Sequence, residues 1–146
     1  MKAGNMSSLV DLVEKKKMVG KSFFCPWEEE TAQALRQRSK LIRIYTACEN
    51  PNDVAGCIAV ANSVGAQGIA VRWLSEAEME RITMEIHDAG LAIHAYEIDT
   101  NADLSRIAAS NLSLTLDTNR PQAAHQRLQP GHQLRSTRHF GALPRA

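Results

Sequence analysis

The chain has 146 residues, a length typical of one domain, and its hydrophobic fraction of 44% and charged fraction of 23% are ordinary for a globular protein. A formal net charge of +1 argues against nucleic acid as a partner. The N-terminus leads into no apolar signal segment and no run approaches the roughly 18 apolar residues of a membrane span, so we predict a cytoplasmic protein.

The pattern of the chain predicts five helices that alternate with five strands. An amphipathic helix begins at Ser8, and Lys15, Lys16 and Lys17 lie near its end, where the helix dipole favours cations. The predicted helices cover residues 8–17, 26–38, 54–64, 75–90 and 101–109. The predicted strands cover residues 18–24, 41–46, 68–73, 91–98 and 112–117.

Start and stop signals support these boundaries. Pro26 suits a first helical turn, Ser75 and Glu78 form a capping box, and Gly65 and Gly90 are predicted C-caps. Each strand–helix unit takes roughly 21 to 27 residues, a spacing typical of parallel strands with right-handed crossovers. A complete eight-unit barrel needs about 250 residues. We therefore predict an α/β fold, a partial TIM barrel of about five parallel strands alternating with helices.

Four short segments stand out in chain order: KSF at 21–23, GAQGI at 65–69, GLAIHAYEID at 90–99 and LDTNRP at 116–121. They resemble the Ser-Phe strand, the Gly-Ala-Asp-Gly-Val strand start, the penultimate strand and the closing I-I-T-D-R-P of glycerophosphodiester phosphodiesterases. The resemblance covers roughly residues 7–121 and would correspond to the fourth through eighth strands of the family barrel. We predict a barrel-like domain over residues 1–121 and a disordered basic tail over residues 122–146.

The resemblance implies a parent activity, the metal-dependent hydrolysis of glycerophosphodiesters to glycerol 3-phosphate and an alcohol, with Ca²⁺ or Mg²⁺ as the ion. It also implies that the family's His-Arg-Gly motif, acidic metal ligands, second catalytic His and a Lys lie on the first three strands, which have no counterpart here. Tyr96, Glu97 and Asn119 replace a Trp, a Thr and an Asp of the family pattern. We expect a truncated relative with impaired activity that retains no catalytic or metal-binding residue.

Four residues are candidates for a substrate wall: Tyr96, Trp73, Phe24 and His94. In such barrels the active site lies at the C-terminal ends of the strands, where Phe24 and Trp73 fall. Tyr96 stands where the resemblance places a Trp near the substrate, and a simple core aromatic is the alternative. His94 is either a general acid/base or, as we favour, a packed structural residue.

Three carboxylates follow neighbouring strands: Glu97, Asp99 and Asp117. They either hold a cation such as Ca²⁺ or Mg²⁺, which prefer oxygen ligands, or are solvated turn residues and helix caps. The second interpretation is favoured because Asp is common at such turns.

Arg43 and Arg72 interrupt otherwise apolar strands. An Arg on the inner face of a barrel can bind phosphate with two hydrogen bonds. The favoured alternative is that both lie at an exposed edge or pair with acids such as Glu49 or Glu78.

The three cysteines, Cys25, Cys48 and Cys57, are odd in number and lack C-x-x-C spacing. This pattern argues against a disulfide framework and against a zinc site, and it indicates a reducing cytosol. Cys25 precedes Pro26 and could act as a nucleophile, but a buried or idle thiol is the better interpretation.

Five of eight strands would leave two sheet edges unpaired and the inner face open. We therefore expect a homo-oligomer or a complementing chain as partner, and a glycerophosphodiester as ligand if the chain is active. One alternative is a non-catalytic interaction module that binds through its open sheet edge or its basic tail, and another is an unrelated small α/β enzyme. The tail itself is either a contact for RNA or acidic membranes or an inert extension.

Overall fold

The computed structural model of the chain describes residues 3–109 and 115–116. Helices and strands alternate along this part of the chain. The helices are α1 (Ala3–Lys15), α2 (Glu29–Arg38), α3 (Val54–Ser63), α4 (Glu76–Asp88) and α5 (Asn101–Ala109). The strands are β1 (Tyr45–Cys48), β2 (Gly68–Arg72), β3 (Ala92–Tyr96) and β4 (Thr115–Leu116).

The strands form one parallel sheet in the order β1-β2-β3-β4. Tyr45 pairs with Gly68, Gly68 with Ala92, and His94 with Thr115. Consecutive strands therefore lie side by side with a helix in each connection, which is the arrangement of a barrel segment. The predicted parallel α/β class is confirmed, with three longer strands and the two-residue β4 in place of five full strands.

The predicted strand at 18–24 is wrong. Residues Val19–Lys21 form a single 3₁₀ turn, and the segment joins the sheet only through an isolated parallel bridge between Phe24 and Ile44. Arg43 explains the difference, because its guanidinium donates to the backbone oxygens of Gly20 at 2.9 Å and Ser22 at 3.2 Å. The Arg43 side chain therefore occupies backbone carbonyl groups that would otherwise form the hydrogen bonds of a β-strand.

The predicted strand at 112–117 is confirmed only for Thr115 and Leu116, and its other residues lie outside the described part of the chain. The predicted tail at 122–146 also lies outside it. Within the described residues, the structure contains no helix with both the length and the apolar character needed to cross a membrane.

Local signals place the helix boundaries. Ser75 and Glu78 form the predicted capping box at the start of α4. Gly65 and Gly90 follow α3 and α4 with φ angles of 63° and 76°, the left-handed conformation that terminates helices and that glycine adopts without steric cost.

The helices cover one face of the sheet and form two hydrophobic clusters there. The larger cluster joins β2 and β3 to α3, α4 and α5 through residues that include Ile69, Val71, Ile93, Ile82 and Leu104. The smaller cluster joins α1 and α2 to the start of the sheet through Val10, Phe24, Leu35, Ile42 and Ile44. Burial of these side chains is the main stabilising term, at roughly 25 cal/mol for each Å² of apolar surface.

Candidate functional site

Alternation along the strands assigns every second residue to the sheet face opposite the helices, which we call the inner face. Ile69, Val71 and Ile93 belong to the core under the helices. Their neighbours in the strands must therefore point the other way, since successive side chains alternate. The inner face carries Tyr45, Ala47, Gly68, Ala70, Arg72, Ala92, His94 and Tyr96.

Three rings lie together on the inner face, towards the N-terminal ends of the strands, and we call them the lower aromatic layer. The ring of Phe23 lies 4.8 Å from that of Tyr45 and 4.9 Å from that of His94, measured between centroids. The Tyr45 and His94 rings are 6.3 Å apart and nearly perpendicular. Such edge-to-face contacts favour a packed, ordered layer.

His94 is fixed within this layer. Its side chain is only 5% exposed, and its Nδ1 lies 3.0 Å from Oγ1 of Thr115. Oγ1 of Thr115 also lies 3.2 Å from the Ile93 carbonyl oxygen, and when its hydroxyl donates there, Nδ1 of His94 is the donor to Thr115. These contacts agree with the packed structural His that the sequence favoured.

Two further rings, those of Trp27 and Tyr96, lie nearer the C-terminal ends of the strands. Trp27 contacts Tyr96 edge to face, with centroids 5.7 Å apart and an interplanar angle of 79°. Trp27 follows Pro26, whose carbonyl accepts a hydrogen bond from the Ala47 amide. The indole is 56% exposed, so part of this aromatic pair is available to a ligand.

An ion pair stands beside the two rings. Nε of Arg72 lies 2.6 Å from a carboxylate oxygen of Glu97, and both side chains are more than half exposed. Arg72 is the register partner of Tyr96, so the guanidinium stands next to the phenol on the same face. Glu97 has a φ of 60°, a left-handed conformation that costs a non-glycine residue about 1 kcal/mol and is common at functional sites.

Burial raises the pKa of Tyr96, and the nearby Glu97 carboxylate raises it further. Cys25 and Glu49 act in the same direction, whereas Arg72 lowers this pKa. The Tyr96 hydroxyl is therefore held in its neutral form and can donate a hydrogen bond.

The four predicted wall residues separate into two pairs. Tyr96 and His94 lie on the inner face, at alternate positions of β3. Phe24 and Trp73 instead pack into the two hydrophobic clusters on the helix side. Because side chains alternate, the neighbouring Phe23 points inward where Phe24 does not.

Trp27 and Phe23 are the inner-face aromatics that sequence reasoning missed. The pairing of Phe24 with Ile44 places Phe24 on the helix side and therefore Phe23 on the inner face. Sequence reasoning could have found Phe23 only by predicting that pairing. The signal for Trp27 was its place just after the first strand-like segment, on the edge where barrel sites form.

The predicted partners of the arginines also change. Arg43 binds backbone carbonyls, as described above, and Arg72 pairs with Glu97 rather than with Glu49 or Glu78. Glu78 belongs to the capping box.

The carboxylates do not assemble a cation site in the described residues. Glu97 is paired with Arg72, and Asp117 lies outside the described chain. No group of three or more His, Cys, Asp or Glu side chains in residues 3–109 and 115–116 could hold a metal ion. These residues therefore do not fit the Ca²⁺ or Mg²⁺ that the family resemblance implies.

The cysteines depart from the expectation that no disulfide forms. Cys48 and Cys57 are joined by a disulfide, with Cα atoms 5.4 Å apart, while Cys25 is free and exposed. The bond links the end of β1 to the first turns of α3. Asp53 caps α3 by accepting from the Gly56 amide.

Among solved structures, the chain is similar to a protein from Silicibacter pomeroyi DSS-3 provisionally assigned as a glycerophosphoryl diester phosphodiesterase. The TM-score is 0.69 at 14% sequence identity, over 85% of this chain and 43% of that chain. The chain thus spans less than half the length of that protein, and a likeness at this identity shows a shared fold. No family model matches the chain, and no curated protein matches it by sequence.

Proposed function

We propose that this chain is a partial barrel related to glycerophosphodiester phosphodiesterases, that it binds a glycerophosphodiester at the C-terminal end of its inner face, and that it does not hydrolyse that ligand alone. The parent activity is metal-dependent hydrolysis to glycerol 3-phosphate and an alcohol. The observation that carries the proposal is the fold shared with the Silicibacter pomeroyi protein over 85% of the chain. The agreement of four sequence segments with the family pattern supports the same relationship.

The inner face supplies groups that suit such a ligand. Arg72 is exposed beside Tyr96, and its Nε faces Glu97. A guanidinium has five N–H donors, so its terminal amino groups can bind phosphate oxygens. Tyr96 and Trp27 form a wall next to that position.

The proposed lack of hydrolysis follows from the groups near this wall. His94 is buried and engaged with Thr115, so it is poorly placed to transfer a proton to an exposed ligand. The Glu97 carboxylate is held by Arg72.

Calorimetry and a hydrolysis assay together test the proposal. The chain should bind a glycerophosphodiester in isothermal titration, and it should release no glycerol 3-phosphate above background with either Ca²⁺ or Mg²⁺. Arg72→Gln should weaken binding about tenfold, because a charge-assisted hydrogen bond to phosphate is lost. Absence of binding would contradict the proposed ligand, and turnover by the chain alone would contradict the proposed inactivity.

A second candidate is an interaction module in which another copy or another chain extends the sheet. It is favoured by the β1 side, where residues 24–26 join the sheet through one bridge and through hydrogen bonds to Tyr45 and Ala47 in place of a full strand. A segment at the end of a sheet presents backbone N–H and C=O groups with which an added strand can pair. Light scattering coupled to size exclusion tests this candidate, which requires a dimer or larger assembly and is contradicted by a monomer of 16.1 kDa.

A further inference from the structure

We propose that two loops at the N-terminal ends of the strands form a docking surface for an anionic phospholipid bilayer. The surface combines two exposed apolar side chains with four exposed lysines: Met18, Leu41, Lys16, Lys17, Lys21 and Lys40. We call this set the basal patch. It lies at the opposite end of the strands from Trp27 and Tyr96, so the inference does not depend on the proposed ligand site.

Hydrogen bonds hold the two loops of the basal patch together. The first loop follows α1, and the second joins α2 to β1. Arg43 of the second loop donates to the carbonyl oxygen of Gly20 in the first at 2.9 Å. The Ser39 hydroxyl donates to the Glu14 carboxylate near the end of α1, and the Leu41 amide donates to the Ser39 hydroxyl oxygen at 3.2 Å. The exposed groups of the two loops therefore lie side by side.

The charge of this surface is positive and uncompensated. Residues 15–27 and 39–48 contain six basic residues and no acidic residue. The two acids of α1 are engaged towards α2, because Asp11 pairs with Arg38 and Glu14 accepts from Ser39. No ion pair among the described residues involves a lysine of the basal patch. The phosphate and carboxylate groups of anionic lipids are the natural complement of such a surface.

The two apolar side chains distinguish a bilayer from other anionic partners. Leu41 is 70% exposed, the largest exposed fraction of any large apolar side chain in the described residues, and Met18 is 45% exposed. Each directly follows a lysine in the chain. At a bilayer surface the apolar tips enter the acyl boundary while the lysine ammonium groups stay among the headgroups. A nucleic acid would use the lysines, but it stacks its bases on aromatic rings, which the basal patch does not contain.

The end of α1 supports a role for the lysines beyond local structure. Lys17 has a φ of 54°, and its amide donates to the Glu14 carbonyl oxygen at 2.9 Å. Glycine is the usual residue at such a helix end, because it adopts a positive φ without steric cost. The helix dipole favours a cation in the last turn but falls off beyond it, so it does not account for Lys21. Local structure therefore explains only part of the positive charge.

Flotation of the full chain with lipid vesicles tests the proposal. Vesicles of phosphatidylcholine alone are compared with vesicles that contain about one third phosphatidylserine. We expect the partition coefficient to be about tenfold higher for the anionic vesicles. It should fall about tenfold when the salt concentration rises from about 0.1 M to about 0.5 M, because salt screens the attraction between lysines and headgroups.

Two pairs of substitutions assign the binding to the basal patch. Lys16→Gln combined with Lys17→Gln should lower the partition coefficient about tenfold, since each lysine near an anionic surface contributes separately. Met18→Ser combined with Leu41→Ser should lower it by a similar factor, since insertion into the acyl boundary is lost. Met84→Ser is the matched control, because Met84 is 61% exposed on α4, and it should bind as the unchanged chain does. Circular dichroism confirms that each variant is folded.

Three outcomes would overturn the proposal. The first is no binding to anionic vesicles, or equal binding to both vesicle compositions. The second is binding that survives both pairs of substitutions, because another part of the chain would then make the contact. The third is a loss with the lysine pair and none with the apolar pair, which would make the basal patch a general polyanion site, such as one for RNA. None of these outcomes bears on ligand binding beside Trp27 and Tyr96, at the other end of the strands.

Discussion

The ring of Tyr45 lies directly over Gly68 on the neighbouring strand. An added Cβ at Gly68 would stand 2.5 Å from Cε1 of Tyr45 and 2.5 Å from the Ala92 carbonyl oxygen. Tyr45 and Gly68 are register partners, so this glycine makes room for the ring where β1 and β2 begin. The lower aromatic layer, including His94, depends on that space.

Gly68→Ala should therefore destabilise the fold by about 2 kcal/mol, because the Cβ meets backbone as well as ring atoms and forces one of them to move. The free energy of unfolding from urea titration checks this. Gly20→Ala is the matched control, since a Cβ there meets nothing within 4 Å. Equal stability of the two variants would mean that Tyr45 does not lie where the structure places it.

Arg36 of α2 should be a stabilising residue at the N-terminal ends of β1 and β2. Its guanidinium donates to several backbone carbonyls, which belong to Ser39, Lys40, Ile42, Val64 and Gly65. Arg36→Ala should cost about 3 kcal/mol because partly buried acceptors lose a charged donor. Arg38→Ala, which breaks an exposed ion pair with Asp11, is the control and should cost less than about 1 kcal/mol. A comparable loss in both variants would contradict this role.

The stability of α4 should depend on pH through Glu78. The Ser75 hydroxyl, and then the Ser75 amide, hold the pKa of Glu78 below its ordinary value of 4.5. The folded pKa lies below the unfolded one, so the stabilisation is complete above about pH 4.5 and is lost as pH falls through the lower folded value. Ser75→Ala should reduce this pH dependence, because the hydroxyl is lost while the backbone amide of residue 75 remains, and it should cost about 1 kcal/mol at neutral pH. Thermal unfolding over the acidic range measures the effect, and parallel pH profiles for the two proteins would rule it out.

The Cys48–Cys57 disulfide determines how many cysteine thiols should react with a thiol reagent before and after reduction. Unfolded without reductant, the chain should show one reactive thiol, that of Cys25, and three after reduction. Cys57→Ser should lose roughly 3 kcal/mol, the loop-entropy estimate for a crosslink that closes about ten residues. Cys25→Ser should leave stability unchanged. Three reactive thiols before reduction would restore the expectation of a fully reduced chain.

Several helix boundaries could be predicted from short stretches of sequence. Residues 101–109 were predicted as a helix and form α5, because the Thr100 side chain caps its first turn by accepting from the Asp103 amide. Gly65 and Gly90 mark helix ends because few other residues accept a positive φ. These features depend on neighbours in the sequence and can be read from it.

The features that failed depend on residues far apart in the chain. The Phe24–Ile44 bridge decides which side chains of the segment at 18–24 face the helices. If this pairing moved by one residue, Phe23 and Phe24 would exchange faces. The partner of Arg72 depends on the unusual backbone of Glu97, which no local pattern predicts. Sequence reasoning therefore named Tyr96 and His94 of the inner face and missed Phe23 and Trp27.

The two tryptophans provide the most direct test of the proposed site, because they lie on opposite sides of the sheet. Their indole N–H signals can be followed by NMR and assigned with Trp73→Phe. Addition of a glycerophosphodiester should shift the Trp27 signal in a saturable way and leave the Trp73 signal in place. A shift confined to Trp73, or no shift of either signal at saturating ligand, would contradict a binding site on the inner face.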